Sequence, residues 1–241
     1  MLGVGQTYFA YNGVPTYISH LSNLKILDFS ETLFIGELDG SIFAPLTQLM
    51  YLEMGGNLFN STMPTEIPRL PNLEALYSYG NGLEGNVNFI SNLDKVVEVW
   101  LDSNPLLYGT IPTEIGRLTN MASLSLTNCD LSGQIPTQIG SLTMMEQMWF
   151  YGNRFSGTIP SQFANLPKLL ILGLEDNNIT ATMPSAMCNK NMLALSADCA
   201  GNFSTVVCTC CTCCEAPCPI VNLPSYNLGR LLEIQEEIRR L

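Results

Sequence analysis

A motif of about 24 residues recurs along most of the chain and constrains its fold more than any other feature. One copy runs from Met121 to Leu142 in the pattern M-x-x-L-x-L-x-x-C-x-L-x-G-x-I-P-x-x-I-G-x-L. Successive copies start at Leu24, Leu49, Leu73, Val96, Met121, Met145, Leu169 and Met192. A unit this short cannot bury its apolar face alone, so neighbouring units must stack into a solenoid.

The two halves of each unit predict different backbone conformations. The first half alternates apolar and polar residues, as a short strand with one buried face does. The second half carries Gly-x-Ile-Pro or a variant, as at 109–112, 133–136 and 157–160. Glycine and proline there favour an extended crossing followed by a short helical turn. We therefore predict an α/β solenoid, a right-handed superhelix with a parallel β-sheet on its concave face and turns or 3-10 segments on its convex face.

The repeat resembles the plant-type leucine-rich repeat of plant receptor ectodomains and polygalacturonase inhibitors. Its asparagine column holds Asn57, Asn81, Asn104, Asn153 and Asn177, and the resemblance covers roughly residues 1–200. The stretch from Leu195 to Cys199, with the cysteines of 208–214, is similar to the end of leucine-rich-repeat proteins of diatoms and related algae. The resemblance implies a receptor ectodomain that senses peptides, or an inhibitor of wall-degrading enzymes.

Three segments are predicted along the chain. Residues 1–198 form the leucine-rich-repeat solenoid, 199–218 a Cys-rich C-terminal cap, and 219–241 a linker and short amphipathic helix. Near-helical spacing in the last segment is carried by Leu228, Leu231, Ile234, Ile238 and Leu241. That helix either docks on the end of the solenoid or begins a partner-binding segment.

The cysteines cluster at one end of the chain. Cys129 lies alone in the asparagine column, and the remaining even set predicts disulfides that staple the end of the solenoid: Cys188, Cys199, Cys208, Cys210, Cys211, Cys213, Cys214 and Cys218. So many cysteines allow many pairings, and the connectivity stays open. A thiolate metal site is the rival interpretation of the C-x-x-C spacings. Because those spacings overlap and the one histidine, His20, is remote, we predict neither a metal nor a cofactor.

Charge and compartment signals restrict the partners. A net charge of −11 and a pI of about 4.4 argue against nucleic acid or an anionic membrane. No apolar run reaches about 18 residues, so no membrane insertion is expected within this chain. Sequons at Asn60, Asn178 and Asn202, together with the cysteines, favour a secreted or cell-surface protein. Residues 1–5 lack signal-peptide features, so we expect a fragment whose missing part holds a cap and any export signal or anchor.

Residues that alternate with the leucines should project from the concave face. Both tryptophans, Trp100 and Trp149, fall in these columns, where wetted aromatic side chains would anchor a ligand. The predicted ligand-binding residues are Tyr51, Tyr77, Tyr79, Glu98, Trp100, Asp102, Gln147, Trp149, Tyr151 and Glu175. The alternative is that these aromatics cover their neighbours on the pleated surface.

We predict a non-catalytic recognition module that binds a peptide, protein or glycan through the concave face. The carboxylates among the predicted residues favour a basic or hydroxyl-rich partner. Catalysis is not predicted: Asp102 and Glu175 lie three repeats, about 14 Å, apart, too far for a pair of glycosidase carboxylates, and no nucleophile elbow or phosphate loop is present. The alternatives are a structural or adhesive matrix protein, or the ectodomain fragment of a larger membrane receptor.

Overall fold

The computed structural model describes residues 2–3, 13–199, 205–208 and 210–213. The strands in that part of the chain are β1 (Leu2–Gly3), β2 (Ile26–Asp28), β3 (Ile35–Gly36), β4 (Tyr51–Glu53), β5 (Leu58–Phe59), β6 (Ala75–Tyr77), β7 (Glu84–Asn86), β8 (Glu98–Trp100), β9 (Leu106–Gly109), β10 (Ser123–Ser125), β11 (Asp130–Gly133), β12 (Gln147–Trp149), β13 (Arg154–Gly157), β14 (Ile171–Gly173), β15 (Asn178–Ile179), β16 (Ala181–Thr182), β17 (Ala194–Ala197), β18 (Val206–Val207) and β19 (Thr212–Cys213). The predicted helix in 219–241 lies outside the described residues.

One strand from each repeat forms the main sheet. Its ten strands run in the order β1-β2-β4-β6-β8-β10-β12-β14-β17-β19, and all neighbouring pairs are parallel. The register joins equivalent positions of successive repeats, for example Leu124 with Met148 and Ser125 with Trp149. The leucine-rich-repeat solenoid predicted from the repeat is therefore confirmed.

The convex side carries short helices rather than regular long ones. These are η1 (Thr16–His20), α1 (Gly40–Phe43), η2 (Ile67–Arg69), η3 (Val87–Asn92), η4 (Thr113–Arg117), η5 (Thr137–Ser141), η6 (Ser161–Asn165) and α2 (Ser185–Cys188). Most are 3-10 turns, as the Gly-x-Ile-Pro half predicts, and Pro112, Pro136 and Pro160 each stand immediately before one of them. No helix in the described ranges is long and apolar enough to cross a bilayer.

A second sheet lies where the chain leaves the main sheet. Strands β7, β9, β11, β13 and β15 form a five-stranded parallel sheet, while β3 pairs with β5 and β16 with β18. The Gly-x-Ile-Pro half predicts an extended crossing here, and the structure shows that the crossings also bond to one another from repeat to repeat. Gly109, Gly133 and Gly157 all have positive φ angles at the end of these strands, a backbone conformation that glycine adopts without strain.

The core fills the space between the main sheet and the helical turns. Each repeat contributes leucine-type residues from its strand, such as Leu76, Val99 and Leu124, which are wholly inaccessible to solvent. Near the N-terminal end Phe29 packs on Phe34 and Phe59 with ring centroids 5.7 and 6.0 Å apart. Because each repeat contacts its neighbours, the apolar interior is continuous along the stack.

The asparagine column satisfies backbone groups between repeats. The Asn153 side chain donates to the carbonyls of Leu126 and Phe150, at 2.7 and 3.1 Å, and accepts from the Leu131 N–H at 3.1 Å. Asn57, Asn81, Asn104 and Asn177 bond in the same manner. These asparagines therefore link each repeat to the one before it.

Disulfides close the C-terminal end. Cys188 is bonded to Cys210 and Cys208 to Cys211, and Cys199 is also disulfide-bonded. Cys129 is free, as predicted. Of the other predicted disulfide cysteines, the side chain of Cys213 and all of Cys214 and Cys218 lie outside the described residues. The main sheet continues beyond Asp198 into β19, so residues assigned to the cap share the sheet of the solenoid.

Candidate functional site

The predicted ligand-binding columns lie side by side on the face of the main sheet opposite the core. In-register pairing aligns Glu53 with Tyr77 and Tyr77 with Trp100. Buried apolar side chains on this face form a cluster of their own, separate from the core: Ile26, Tyr51, Ala75, Tyr77 and Trp100, with Tyr79 packed against them. The concave face therefore carries a second packed layer, which we call the concave layer.

The prediction that both indoles are wetted is wrong for Trp100. Its exposed fraction is 7%, and that of Tyr77 is 1%. The physical cause is contact between repeats: the Trp100 and Tyr77 rings lie 4.3 Å apart, and Tyr77 packs on Tyr51 with centroids 5.1 Å apart. The indole N–H of Trp100 also donates to Ser123 Oγ at 2.9 Å. Side chains about 4.8 Å apart along a parallel sheet shield one another from water.

Two of the buried carboxylates lie within this layer beside tyrosines. Glu98 accepts a 2.5 Å hydrogen bond from the Tyr77 hydroxyl, and Glu53 accepts one of 2.9 Å from Tyr51. The other carboxylate oxygen of Glu53, Oε1, is buried without a hydrogen-bond partner. Burial raises the pKa of Glu53 to about 7, and the neighbouring charge of Asp28 adds to the increase. Burial likewise raises the pKa of the two tyrosines.

Asp102 is held by the next repeat. Its Oδ1 accepts from the hydroxyl of Ser125, and from the hydroxyl and N–H of Thr127 at 2.8 and 3.1 Å. Burial raises the pKa of Asp102, while these hydrogen bonds oppose the increase. The Asp102 carboxylate is thus hydrogen-bonded within the protein. Asp102 and Glu98 are predicted to contact a ligand, and the structure shows that both are buried.

The accessible part of the predicted site lies at β12 and β14. Gln147, Trp149, Tyr151 and Glu175 are half-buried, and we call them the Trp149 patch. Three of them converge on Gly173: a Cβ atom placed on this glycine would lie 3.3 Å from the Trp149 ring, 3.5 Å from the Tyr151 ring and 3.4 Å from Glu175 Oε2. Glu175 also accepts a hydrogen bond from Ser196. Two rings and a carboxylate therefore surround one bare stretch of backbone.

Tyr79 is the accessible aromatic residue at the other end of the concave layer. Its ring lies over Gly55 of the preceding repeat, where an added Cβ would come within 2.5 Å of it. Tyr79 is half-buried, so one side of the ring remains in solvent. Only a glycine at position 55 leaves room for this arrangement.

The charged residues of the described concave columns are all carboxylates, and three of them, Glu53, Glu98 and Asp102, are buried. In the described part of the chain these columns contain no lysine or arginine, and their carboxylates are Asp28, Glu53, Glu98, Asp102, Glu175 and Asp198. His20 is exposed in η1 on the convex side, far from these columns. Among the described residues the one cluster with potential metal ligands is Cys208, Cys210 and Cys211, which the structure joins in disulfides.

Comparisons with known proteins agree with this architecture. A family model described as Leucine Rich Repeat matches residues 120–142 and 144–166. Receptor-like protein 41 of Arabidopsis thaliana is 36% identical over 103 residues, which cover 42% of this chain and 12% of that protein. The chain thus spans about an eighth of the length of this curated relative.

Several solved structures of similar shape are plant receptors. The plant peptide hormone receptor RGFR1 in complex with RGF2 superposes with a TM-score of 0.75 at 27% identity, over 86% of this chain and 32% of that one. The Arabidopsis receptor kinase HAESA, in complex with the peptide hormone IDA and the co-receptor SERK1, gives 0.73 at 29% identity, over 80% and 33%. The fold is therefore a leucine-rich-repeat solenoid, and the chain is similar to plant receptor-like proteins and plant receptors.

Proposed function

We propose that this chain is a non-catalytic recognition module that binds a peptide or protein segment rich in basic residues through its concave face. The observation that carries the proposal is a concave surface with carboxylates, no lysine or arginine in its described columns, and accessible aromatic rings at the Trp149 patch. The similarity to receptors solved with peptide hormones supports a peptide as the ligand.

The chemistry of the Trp149 patch favours a cationic side chain. An ammonium or guanidinium group within about 6 Å of an indole or phenol face is attracted by the ring, most strongly by tryptophan. Glu175 Oε2 and the Trp149 and Tyr151 rings all lie within 3.5 Å of the same point beside Gly173, so the carboxylate can bond to the same group. A glycan could stack on the rings, but it would gain little from the surrounding carboxylates.

The buried residues of the concave face support this surface without touching the ligand. Tyr51, Tyr77, Glu98, Trp100 and Asp102 are buried and fix the positions of their neighbours, so little side-chain freedom is lost on binding. Among the predicted residues, the direct contacts are assigned to Tyr79, Gln147, Trp149, Tyr151 and Glu175. Strands β6 and β12 lie three steps apart in the main sheet, about 14 Å, which four or five residues of extended peptide span.

The proposed setting is the cell surface or the extracellular space. Receptor-like relatives and the disulfide-bonded end support this compartment. The chain is then a secreted binder or part of the ectodomain of a larger receptor, and an adhesive matrix protein is the alternative. The similarity of the Cys-rich end to algal leucine-rich-repeat proteins stays a prediction.

A peptide array tests the proposal. Arrays of Arg- and Lys-containing peptides, each matched by a version with glutamate at the basic positions, are probed with the wild type, Trp149→Ala and Glu175→Gln. Tyr17→Ala is the control, because Tyr17 is a 61% exposed aromatic residue on the convex side. We expect binding to basic peptides that weakens with salt and falls at least about tenfold in both concave variants.

The control distinguishes binding at a specific site from nonspecific adsorption. Tyr17→Ala should bind as the wild type does, and circular dichroism should show all variants folded. An unchanged array profile in folded Trp149→Ala, or a preference for the glutamate peptides, would contradict the proposal.

A further inference from the structure

The flank formed by the second sheet has an apolar surface near its N-terminal end. Ile35 and Leu58 pair with each other across β3 and β5, yet they are 38% and 56% exposed. They line a shallow hollow of about 410 Å³, which we call the flank hollow. Its lining residues are Gly13, Ile35, Gly36, Glu37, Leu58 and Asn60.

Asn60, at the rim of this hollow, begins the sequon Asn60-Ser61-Thr62. The Asn60 side chain is exposed, and its backbone N–H donates to the Gly36 carbonyl at 3.1 Å. The next two residues are also fixed: Ser61 Oγ accepts from the Leu38 N–H at 3.0 Å, and Thr62 forms a bridge with Glu84. The amide nitrogen of Asn60 is therefore presented from an ordered, extended segment beside two exposed aliphatic side chains.

We propose that Asn60 carries an N-linked glycan whose first N-acetylglucosamine residues pack into the flank hollow and cover Ile35 and Leu58. This inference rests on the proposed extracellular setting and is independent of the ligand. In the transfer step, Nδ2 of Asn60 forms a bond to C1 of an oligosaccharide, and the bond from C1 to a lipid diphosphate carrier breaks. The amide loses one proton, and the carrier leaves as the diphosphate.

The fit follows from size and chemistry. The hollow is within the range of about 300–1,000 Å³ that holds small organic ligands, so it accommodates the innermost sugars. Pyranose rings and acetamido methyl groups present C–H surfaces that gain from covering aliphatic side chains. A covalently attached occupant does not pay for loss of translational freedom when it packs, so even a shallow hollow is sufficient.

Asn178, in the five-stranded sheet, provides a natural comparison on the same flank of the solenoid. It is exposed in β15 and pairs with Ser156 of β13, close to the ion pair of Arg154 with Asp130 at 2.7 Å. The outward surface there is polar, so a glycan on Asn178 would extend into solvent. The two described sequons therefore differ in what lies beside them, and the third, Asn202, lies outside the described residues.

The test is expression of the full chain, behind a host export leader, in a eukaryotic secretory host. The wild type, Asn60→Gln and Asn178→Gln are compared by intact mass, melting temperature and binding of a hydrophobic dye. We expect Asn60 to be occupied, and Asn60→Gln to lower the Tm by about 2–4 °C and raise dye binding. Asn178→Gln should change neither the Tm nor dye binding.

Two further measurements separate the glycan from the asparagine side chain. Trimming to a single N-acetylglucosamine should retain most of the Tm, whereas complete enzymatic removal should reproduce Asn60→Gln. In a Leu58→Ser background, Asn60→Gln should have little further effect because the apolar surface is gone. An unoccupied Asn60 in secreted protein, or equal Tm values for the two Gln variants, would overturn the proposal. Peptide binding is not read in any arm, so failure of the proposed ligand leaves these outcomes unchanged.

Discussion

Replacing Asn153 with alanine should destabilise the solenoid far more than replacing Cys129, although both occupy the same column. Asn153 makes hydrogen bonds to the carbonyls of Leu126 and Phe150 and accepts one from the buried Leu131 N–H. Alanine leaves that N–H without a partner, which costs about 1–3 kcal/mol, and removes two donor bonds worth about 1 kcal/mol each. We expect a loss of about 3–5 kcal/mol in the free energy of unfolding.

Cys129 makes weaker contacts for a structural reason. Its sulfur lies 3.5 Å from the carbonyl oxygens of Leu101 and Thr127, and a thiol is only a weak donor. The repeat before it has one extra residue, and the Leu107 N–H donates instead to the Asn104 carbonyl at 3.0 Å. The Leu107 N–H therefore needs no acceptor at position 129, and Cys129→Ala should cost less than about 1 kcal/mol.

Urea unfolding with the disulfides intact, followed by circular dichroism and tryptophan fluorescence, measures both variants. Hydrogen exchange provides the local check: the Leu131 amide should lose protection in Asn153→Ala and keep it in Cys129→Ala. Equal m-values are required before the free energies are compared, because a repeat protein can unfold in parts. If the free energies of unfolding of the two variants differ by less than about 1 kcal/mol, the proposed role of the asparagine column would be refuted.

Three further predictions follow from the concave layer and the cap. Because burial raises the pKa of Glu53 from 4.5 to about 7, the folded protein binds one more proton than the unfolded chain between these pH values, and its stability falls as pH rises from 4.5 to 7. Glu53→Gln should remove this dependence of the melting temperature on pH and raise the free energy of unfolding at pH 8 by up to about 3 kcal/mol. Trp100→Ala should lower the unfolding free energy by about 3–5 kcal/mol in urea titration, as a core residue would, although it lies outside the core. Reducing the disulfides of Cys188 and Cys208 should lower the Tm, and limited proteolysis should then cleave at β17 before β10. An unchanged order of cleavage would show that these disulfides do not stabilise the end of the stack.

The repeat period was sufficient to predict the main sheet, its register and the side of the sheet on which each residue lies. Period-2 alternation fixes the direction of a side chain but not what covers it. For this reason the repeat predicts correctly that Trp100 lies on the concave face, but it does not predict that Trp100 is buried there. The signal was present: bulky residues occur in three consecutive repeats at Tyr51, Tyr77 and Trp100, and their separation along the sheet forces contact.

Other features depended on contacts that no single repeat contains. The hydrogen-bonded second sheet arises only when neighbouring crossings align. The extra residue near Leu106 can be counted in the sequence, but its effect on the hydrogen bond of the Leu107 N–H cannot be predicted from it. The sequon at Asn60 was visible, whereas its position beside Ile35 required the pairing of β3 with β5. Burial of Asp102 likewise required Ser125 and Thr127 of the next repeat.

The concave layer also has a mechanical consequence. From β4 to β8 the main sheet is packed on both faces, by the core on one side and by the rings of the concave layer on the other. This stretch should therefore resist bending. Past β8 the concave layer ends, and the last turns of the stack are held by the core and by disulfides. We expect the curvature of the molecule to vary mainly beyond this point, which places the Trp149 patch in the more variable part, where a bound segment would set the local curvature.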